Sequence, residues 1–574
     1  MPDCDSPTAQ PPRWLLRAAF GAGITLAALL VVSAFIVHAP SVRPDELGFL
    51  LNGQVLIGND ETPLAEGFRS FYPAGFSFFT AVAAYLGGTI AAQFRISLLF
   101  NIAFAVGTVW VLAQWMMRHL AATKQWAWVI AIAVAVAPTV AVNSLFAWSE
   151  SLSRLGFAAL VLLVFEVSRR PSWANCIGAG LLAAYLPIVH GRFTLVLPLT
   201  ALALVVVGVS RDRLRRLACA SGIAVAAASF LLLSQVNVWL RDELYSGSSG
   251  KEGRMIDKFL DPDNTSSILR GIVGQSWYLV ATTFGMLAVG LGVLFSDSFT
   301  GLVARRREQW VGPLFTIGAS FLVVLTSALQ LVVVIRPDHL VYGRYAEVVA
   351  PVLMTAGLAG LLARRRYTTN AWVAGIGAIV VLISVMALAA GRDELRSMIA
   401  EGEFFAAPNA IGLDIPRRFL EPMGYFSVGI LFLVLAVVVA LAWRKSPTWG
   451  ITAVVILGVT STAYSATRTI IPYRDYSDSI TLDDAIRENS ARNDSSVLVG
   501  IDTLGIGGQT LYDYRYLLHP IQIRRVSLLD PTPDDLDCII TSPDQSLDST
   551  AWENIAVDDH RGLLLWKRQG LDSC

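Results

Sequence analysis

Asp45 and Glu46 stand side by side in "SVRPDELGFLLNGQ" (41–54), directly after a nearly uncharged apolar stretch, Ala18 to Val37. Adjacent carboxylates at the point where an apolar run meets water suit two purposes. They belong in the first turn of a surface helix, where acids meet unsatisfied backbone N–H groups, and Pro44 just ahead of them fits a helix start. A carboxylate within reach of a substrate hydroxyl also serves as a general base. Further polar residues recur at the ends of later apolar runs: Glu150 in "NSLFAWSESLSR", His190 and Arg192 in "LPIVHGRFT", and Arg336, His339, Tyr342, Arg344, Tyr345 and Glu347 in "IRPDHLVYGRYAE". Any single arginine of this kind can simply snorkel to the interface. Together these residues supply a base, a second acid and several phosphate partners, the equipment for group transfer from an anionic lipid.

The elements that carry them are set by composition. The chain is 54% hydrophobic and only 15% charged, with apolar runs of a length that crosses a hydrocarbon core, so it reads as a polytopic membrane protein. Basic residues cluster at Arg118/Lys124, Arg169/Arg170, Arg211 to Arg216, Arg305 to Arg307, Arg364 to Arg366 and Arg444/Lys445, at every second connection. The positive-inside rule places all of these loops in the cytoplasm. Arg13 and Arg17 put the N-terminus there too, which requires one early apolar run not to cross. "FYPAGFSFFTAVAAYLGG", with Pro73, Gly75, Gly87 and Gly88, is the candidate and is assigned as a juxtamembrane or re-entrant helix on the outer face. The expected fold is a polytopic α-helical membrane protein with about thirteen spanning helices. Its transmembrane module is residues 1–467, including an outer loop with juxtamembrane helices at 39–92, and one span is placed on the run 275–297. The expected location is the cell (plasma) membrane, with the N-terminus cytoplasmic and the C-terminal domain extracytoplasmic.

Residues 468–574 lose the apolar runs. "SSVLVGI", "IQIRRVSL", "DCIITS" and "GLLLWKR" read as strands, with a helix at "QTLYDYRYLLH", giving a small α/β domain that opens β-α-β. With 18 acidic and 10 basic residues it is not built to hug an anionic membrane. "GIGGQT" (505–510) is either a tight turn or a phosphate cradle, and the tail's Tyr and Trp residues are either core or sugar-facing. Cys176 and Cys219 fall in apolar runs as small core residues. Cys538 and Cys574 are able to pair if the tail faces an oxidising compartment.

The pattern resembles the glycosyltransferase C superfamily, multi-span enzymes that use lipid-phosphate-linked sugars, such as protein O-mannosyltransferases and the lipid A aminoarabinose transferase. The residues that carry the resemblance are the acidic pair in "RPDELG", the aromatic and proline residues of "FYPAGFSFF", the arginine of "AAQFRISLLFN", the acid of "WSESL", and "YGRYAEVVAP" opening a late helix. The resemblance implies a polyprenyl-phosphate-linked sugar donor, a glycan, lipid or protein acceptor on the outer face, and inversion at the anomeric carbon. It assigns Asp45 as general base with Glu46 as the alternative, and Arg344 with Arg192, His190 and Tyr342 to the departing phosphate. Glu150 would orient the acceptor or help hold a divalent cation, magnesium or calcium, although a monophosphate leaving group can be met by arginine alone. Arg69 is the only cation near the juxtamembrane helix, so a uronic-type donor is not indicated. Membrane lipids are expected partners and nucleic acid is not.

The main rival is a multi-span transporter or flippase. It lacks support from a repeated half or a matched pair of broken apolar segments. A structural membrane protein without catalysis is the third reading, separable by substitution of Asp45.

Overall fold

The computed structural model describes residues 10–37, 40, 45–59, 70–120, 122–209, 212–245, 253–332, 337–363, 375, 378, 382, 410–413, 424–467, 482–490, 497–502, 511, 514–515, 518, 521–528, 535–545, 547–558 and 562–571. Its longer helices are α1 (Arg13–Ile36), α2 (Asp45–Leu56), α3 (Ala74–Gly87), α4 (Ile90–His119), α5 (Lys124–Ala135), α6 (Glu150–Arg169), α7 (Trp173–Val189), α8 (Val196–Gly208) and α9 (Arg213–Leu244). They continue with α10 (Thr265–Thr282), α11 (Met286–Val303), α12 (Arg307–Gln330), α13 (Ala350–Ala363), α14 (Gly424–Lys445), α15 (Pro447–Ser465) and α16 (Leu482–Ser490).

Among the described residues ten helices are long and apolar enough to cross a membrane, and eleven if the pair Lys124–Ala135 and Pro138–Leu145, bent by 74°, is one span. This is a multi-pass membrane protein. The expected count of about thirteen is not confirmed among the described residues. The run at 371–390 lies outside the described residues apart from three isolated positions, and α7 has 17 residues. The run 275–297 is not one span. It breaks between α10 and α11, where Phe284 and Gly285 take φ of 52° and 79° and the Gly285 N–H closes on the Val280 carbonyl at 3.0 Å. Continuous hydrophobicity hid that turn, because apolar residues on both sides of it are buried.

Helix α3 has 14 residues, about 21 Å at 1.5 Å per residue, too short for a hydrocarbon core of about 30 Å. It packs on α2 through glycines. A Cβ on Gly48 would lie 2.0 Å from the Tyr72 ring, and one on Gly53 2.4 Å from the Thr80 hydroxyl. The sequence reading expected α2 on the surface. Instead every residue from Glu46 to Val55 is buried, because these glycines let α3 close over it. Gly75 in turn abuts the backbone of Val189, which brings the start of α3 beside His190. Elsewhere small residues set helix contacts: a Cβ on Gly180 would stand 2.1 Å from the Gly222 carbonyl, so α7 and α9 touch backbone to backbone. Cys176 and Cys219 are buried at that contact as core residues.

The tail forms a five-stranded sheet of β1 (Leu498–Asp502), β2 (Gln522–Val526), β3 (Cys538–Thr541), β4 (Trp552–Asp558) and β5 (Leu563–Arg568), in the order β2-β1-β3-β5-β4. β2, β1 and β3 are parallel, and β5 and β4 antiparallel to their neighbours. Leu511, Tyr514 and Arg515 are helical between β1 and β2, the expected β-α-β start. Strand β4 was missed. Its apolar residues are interrupted by Glu553 and Asn554, and the register shifts between Asn554 and Ala556. Tyr514 and Trp552 are core residues, while "GIGGQT" lies outside the described residues. Cys538 is disulfide-bonded; Cys574 lies outside the described residues.

Candidate active site

Asp45 opens α2, with Glu46 beside it in the same first turn. The two point to different surroundings. Glu46 is fully buried, and its Oε1 accepts from the Ala147 N–H at 2.7 Å, a bond that ties α2 to the turn before α6. Asp45 keeps 28% of its side chain exposed. Its Oδ1 accepts from the Tyr72 hydroxyl at 2.8 Å, and its Oδ2 pairs with Nη1 of Arg344.

Tyr72 is held rigidly for that contact. Its carbonyl accepts from Asn52 Nδ2 at 2.7 Å, and Asn52 Oδ1 accepts from the Tyr245 hydroxyl at 2.8 Å. Burial, followed by the Asp45 charge, pushes the Tyr72 phenol well above its ordinary value, so it remains a neutral donor to the carboxylate.

Arg344 lies in a short helical turn, Gly343–Ala346, just before α13. Its Nε donates to Glu150 Oε1 at 2.9 Å, and its guanidinium stacks 3.8 Å from the Trp148 ring centroid. Glu150 begins α6 and is almost fully buried; its Oε2 makes no hydrogen bond among the described residues. The guanidinium therefore bridges two carboxylates brought together from positions 45 and 150. A planar fork does this where a lysine could not.

Arg192 is fully buried behind this bridge. Its Nη1 donates to the carbonyls of Arg344 (3.3 Å) and Tyr345 (3.1 Å) and stands 4.0 Å from Glu150 Oε1, so it holds the backbone of the Arg344 turn. The His190 Nδ1 accepts from the Arg192 N–H at 3.3 Å, with its ring 4.7 Å from that of Tyr345. Tyr342 is buried against Tyr345, ring centroids 4.7 Å apart, and His339 lies 6.1 Å from Tyr342. Glu347 faces away into a buried cluster, accepting from Asn143 Nδ2 at 2.8 Å and from the Tyr278 hydroxyl. Arg336 and Arg69 lie outside the described residues.

A cavity of about 160 Å³ opens at this point. Asp45, Tyr72, His190, Arg241, Arg344 and Tyr345 line it, from the ends of separate helices. Arg192, Tyr342, Glu46 and Glu150 are not on its wall. Sequence reading missed three contributors. Arg241, near the end of α9, lies over the Phe71 ring at 4.6 Å; like Arg192 and Arg344 it is an arginine at the end of an apolar run. Tyr72 and Trp148 sit inside the stretches "FYPAGF" and "WSESL", but aromatic type alone does not distinguish a carboxylate donor or a guanidinium platform from core packing. Among the described residues there is no group of three or more His, Cys, Asp or Glu suited to a metal ion. Asp45 and Glu150 share Arg344.

Many apolar helices, a polar cavity where helix ends converge and a small trailing sheet make up a fold that a solved structure shares. The comparison with solved structures bears this out. ArnT from Cupriavidus metallidurans bound to undecaprenyl phosphate superposes with a TM-score of 0.51 at 14% identity, covering 96% of this chain and 98% of that one. The apo state of the same protein gives 0.51 at 15% identity over the same shares. The Archaeoglobus fulgidus oligosaccharyltransferase in its apo form aligns over 88% of this chain and 64% of its own length, at 10% identity and a TM-score of 0.41. No family model matches the chain. No curated protein matches it either.

Proposed function

We propose that this protein is a glycosyltransferase that moves a sugar from a polyprenyl-phosphate donor to an acceptor hydroxyl, with inversion. The observation that carries the reading is the pairing of Asp45 with Arg344 on the wall of one cavity, a partly exposed base beside a desolvated guanidinium. That the ArnT of similar fold was solved with undecaprenyl phosphate supports a lipid-phosphate donor.

Arg344 is shared between Asp45 and Glu150. A donor phosphate entering the cavity competes with Asp45 for Nη1, while the Nε bond to Glu150 keeps the guanidinium in place. Asp45, still held by Tyr72, is then released from the ion pair. The acceptor hydroxyl attacks the anomeric carbon as its proton passes to Asp45. The new oxygen–carbon bond forms while the bond from that carbon to the phosphate oxygen breaks. The bonding electrons leave on polyprenyl phosphate, whose charge Arg344 and Arg241 meet. Glu46, spent on the Ala147 N–H, has a structural role, and Arg192 positions the Arg344 turn from behind. His190 and Tyr345 shape the wall beside the phosphate. The arginines supply the charge for which a divalent cation is otherwise needed, and Glu150 orients Arg344.

The disulfide at Cys538 supports an extracytoplasmic tail, since such bonds persist in oxidising compartments. The donor head group and the acceptor then meet on the outer face of the cell membrane. The test is a comparison of envelope glycans from cells lacking the protein, complemented with wild type or with Asp45→Asn at matched abundance. The reading expects one sugar linkage to vanish in both the deletion and the variant; full restoration by the variant would remove Asp45 as the base.

A further inference from the structure

A second, larger cavity lies at the other end of the helices. It measures about 1120 Å³, and five arginines line it: Arg169, Arg215, Arg305, Arg306 and Arg307. Two carboxylates, Asp297 and Glu308, also lie on its wall, so the arginines outnumber the acids. Helix α6 connects the two sites, with Glu150 at one end and Arg169 at the other. Its 20 residues separate them by about 30 Å, the thickness of a hydrocarbon core. This second cavity is no part of the transfer site.

Basic residues at a membrane face are expected, but the positive-inside rule asks only that they sit near that face, not that they converge on a hollow. Here four helix connections surround one, tied in two pairs. Arg169 Nη1 donates to the Arg118 carbonyl at 2.7 Å, linking the ends of α4 and α6. Arg307 Nη1 donates to the Val209 carbonyl, linking the α11–α12 turn to the end of α8. The α11–α12 turn is itself tight. Arg305 takes a left-handed φ of 54°, its N–H bonds the Leu302 carbonyl at 3.0 Å, and the Arg306 N–H bonds the Gly301 carbonyl at 2.9 Å. A non-glycine residue at positive φ is uncommon, and this one sets a run of three arginines on the cavity side. Among the described residues no carboxylate pairs with Arg305 or Arg306.

The rest of the wall says what kind of anion fits. Phe165, Val207, Leu294 and Pro313 line the same cavity. Phe295, Phe299 and Val303 of α11 are exposed on the lipid-facing side of the bundle beside it. A cation ring next to apolar wall at the bilayer edge matches a phosphate whose ester continues into hydrocarbon. We propose that this cavity binds the phosphate head group of an anionic phospholipid from the leaflet opposite the transfer site.

The test uses the full-length purified protein in detergent, stripped of lipid and then offered phosphatidylglycerol, phosphatidylcholine or inorganic phosphate. Lipid retention is read by native mass spectrometry, and thermal unfolding is followed alongside. The variant combines Arg305→Gly with Arg306→Gln. Glycine adopts the left-handed backbone without strain, so the variant keeps its fold while losing two guanidinium groups. Wild type should retain phosphatidylglycerol in preference to phosphatidylcholine, and the double variant should lose roughly thirtyfold of that preference. Millimolar inorganic phosphate should not displace the lipid. Equal retention of both lipids by wild type, or an unchanged preference in the folded variant, overturns the proposal. Full displacement by inorganic phosphate overturns the lipid as the source and leaves a free phosphate site.

Discussion

Asp45→Asn is the substitution whose consequences the site defines most closely. Asparagine keeps the size of the side chain, and its Oδ1 can still accept from the Tyr72 hydroxyl, now at 2.8 Å from Asp45. What disappears is the charge toward Arg344. Arg344 keeps its 2.9 Å bond to Glu150 and its stacking on Trp148, so it stays in place. The lost charged hydrogen bond costs about 1.5–3 kcal/mol at most, discounted because Asp45 is 28% exposed. Chemistry should suffer far more: removal of a general base lowers kcat by roughly 10²–10⁴-fold. Donor affinity should move the other way, because the donor phosphate no longer competes with Asp45 for Nη1. The assay is transfer from lipid-linked sugar by reconstituted protein, with donor binding measured separately. Loss of kcat with equal or tighter donor binding is the expected split. A kcat within a few fold of wild type, or donor binding lost in parallel with kcat, would refute the proposed competition.

Three other outcomes follow from the same geometry. Arg344→Lys keeps the charge but cannot bridge Glu150 and the phosphate, so transfer should fall about 10- to 100-fold in kcat/KM, measured in the same vesicles. Glu46→Gln retains an oxygen for the Ala147 N–H, so transfer should stay near wild type, with a thermal unfolding midpoint lowered by a few degrees at most; collapse of kcat in a stably folded variant would make Glu46 a catalytic group. Chelation with EDTA should leave transfer unchanged if, as proposed, arginines meet the leaving phosphate; loss of activity restored by magnesium or calcium would return Glu150 to a metal-holding role.

Much of this site was legible as exceptions to membrane rules. Carboxylates and arginines are costly near lipid, so Asp45, Glu150, Arg192 and Arg344 stand out at the ends of apolar runs. What sequence could not do was order them by role. Asp45 and Glu46 are neighbours on a helix, about 100° apart, and only the packing of α3 on α2 decides which one faces the cavity. Arg192 and Arg344 look alike in sequence, yet one is a buried brace for the backbone of the other's turn. The break at Phe284 and Gly285 escaped because hydropathy does not register a left-handed turn with apolar residues on both sides. Strand β4 escaped because a register shift and polar residues interrupt its alternation.

The central claim is that sugar is transferred and not merely moved. Vesicles containing the purified protein, loaded with lipid-linked sugars and an acceptor fraction from cells lacking it, allow both to be followed. Release of polyprenyl phosphate and the leaflet of the unreacted donor are measured together, for wild type and Asp45→Asn. The account predicts that wild type releases polyprenyl phosphate in step with glycosylated acceptor, and that Asp45→Asn leaves the donor intact. Donor that crosses the bilayer unchanged, equally fast with either protein and without release of polyprenyl phosphate, would contradict it and identify a flippase.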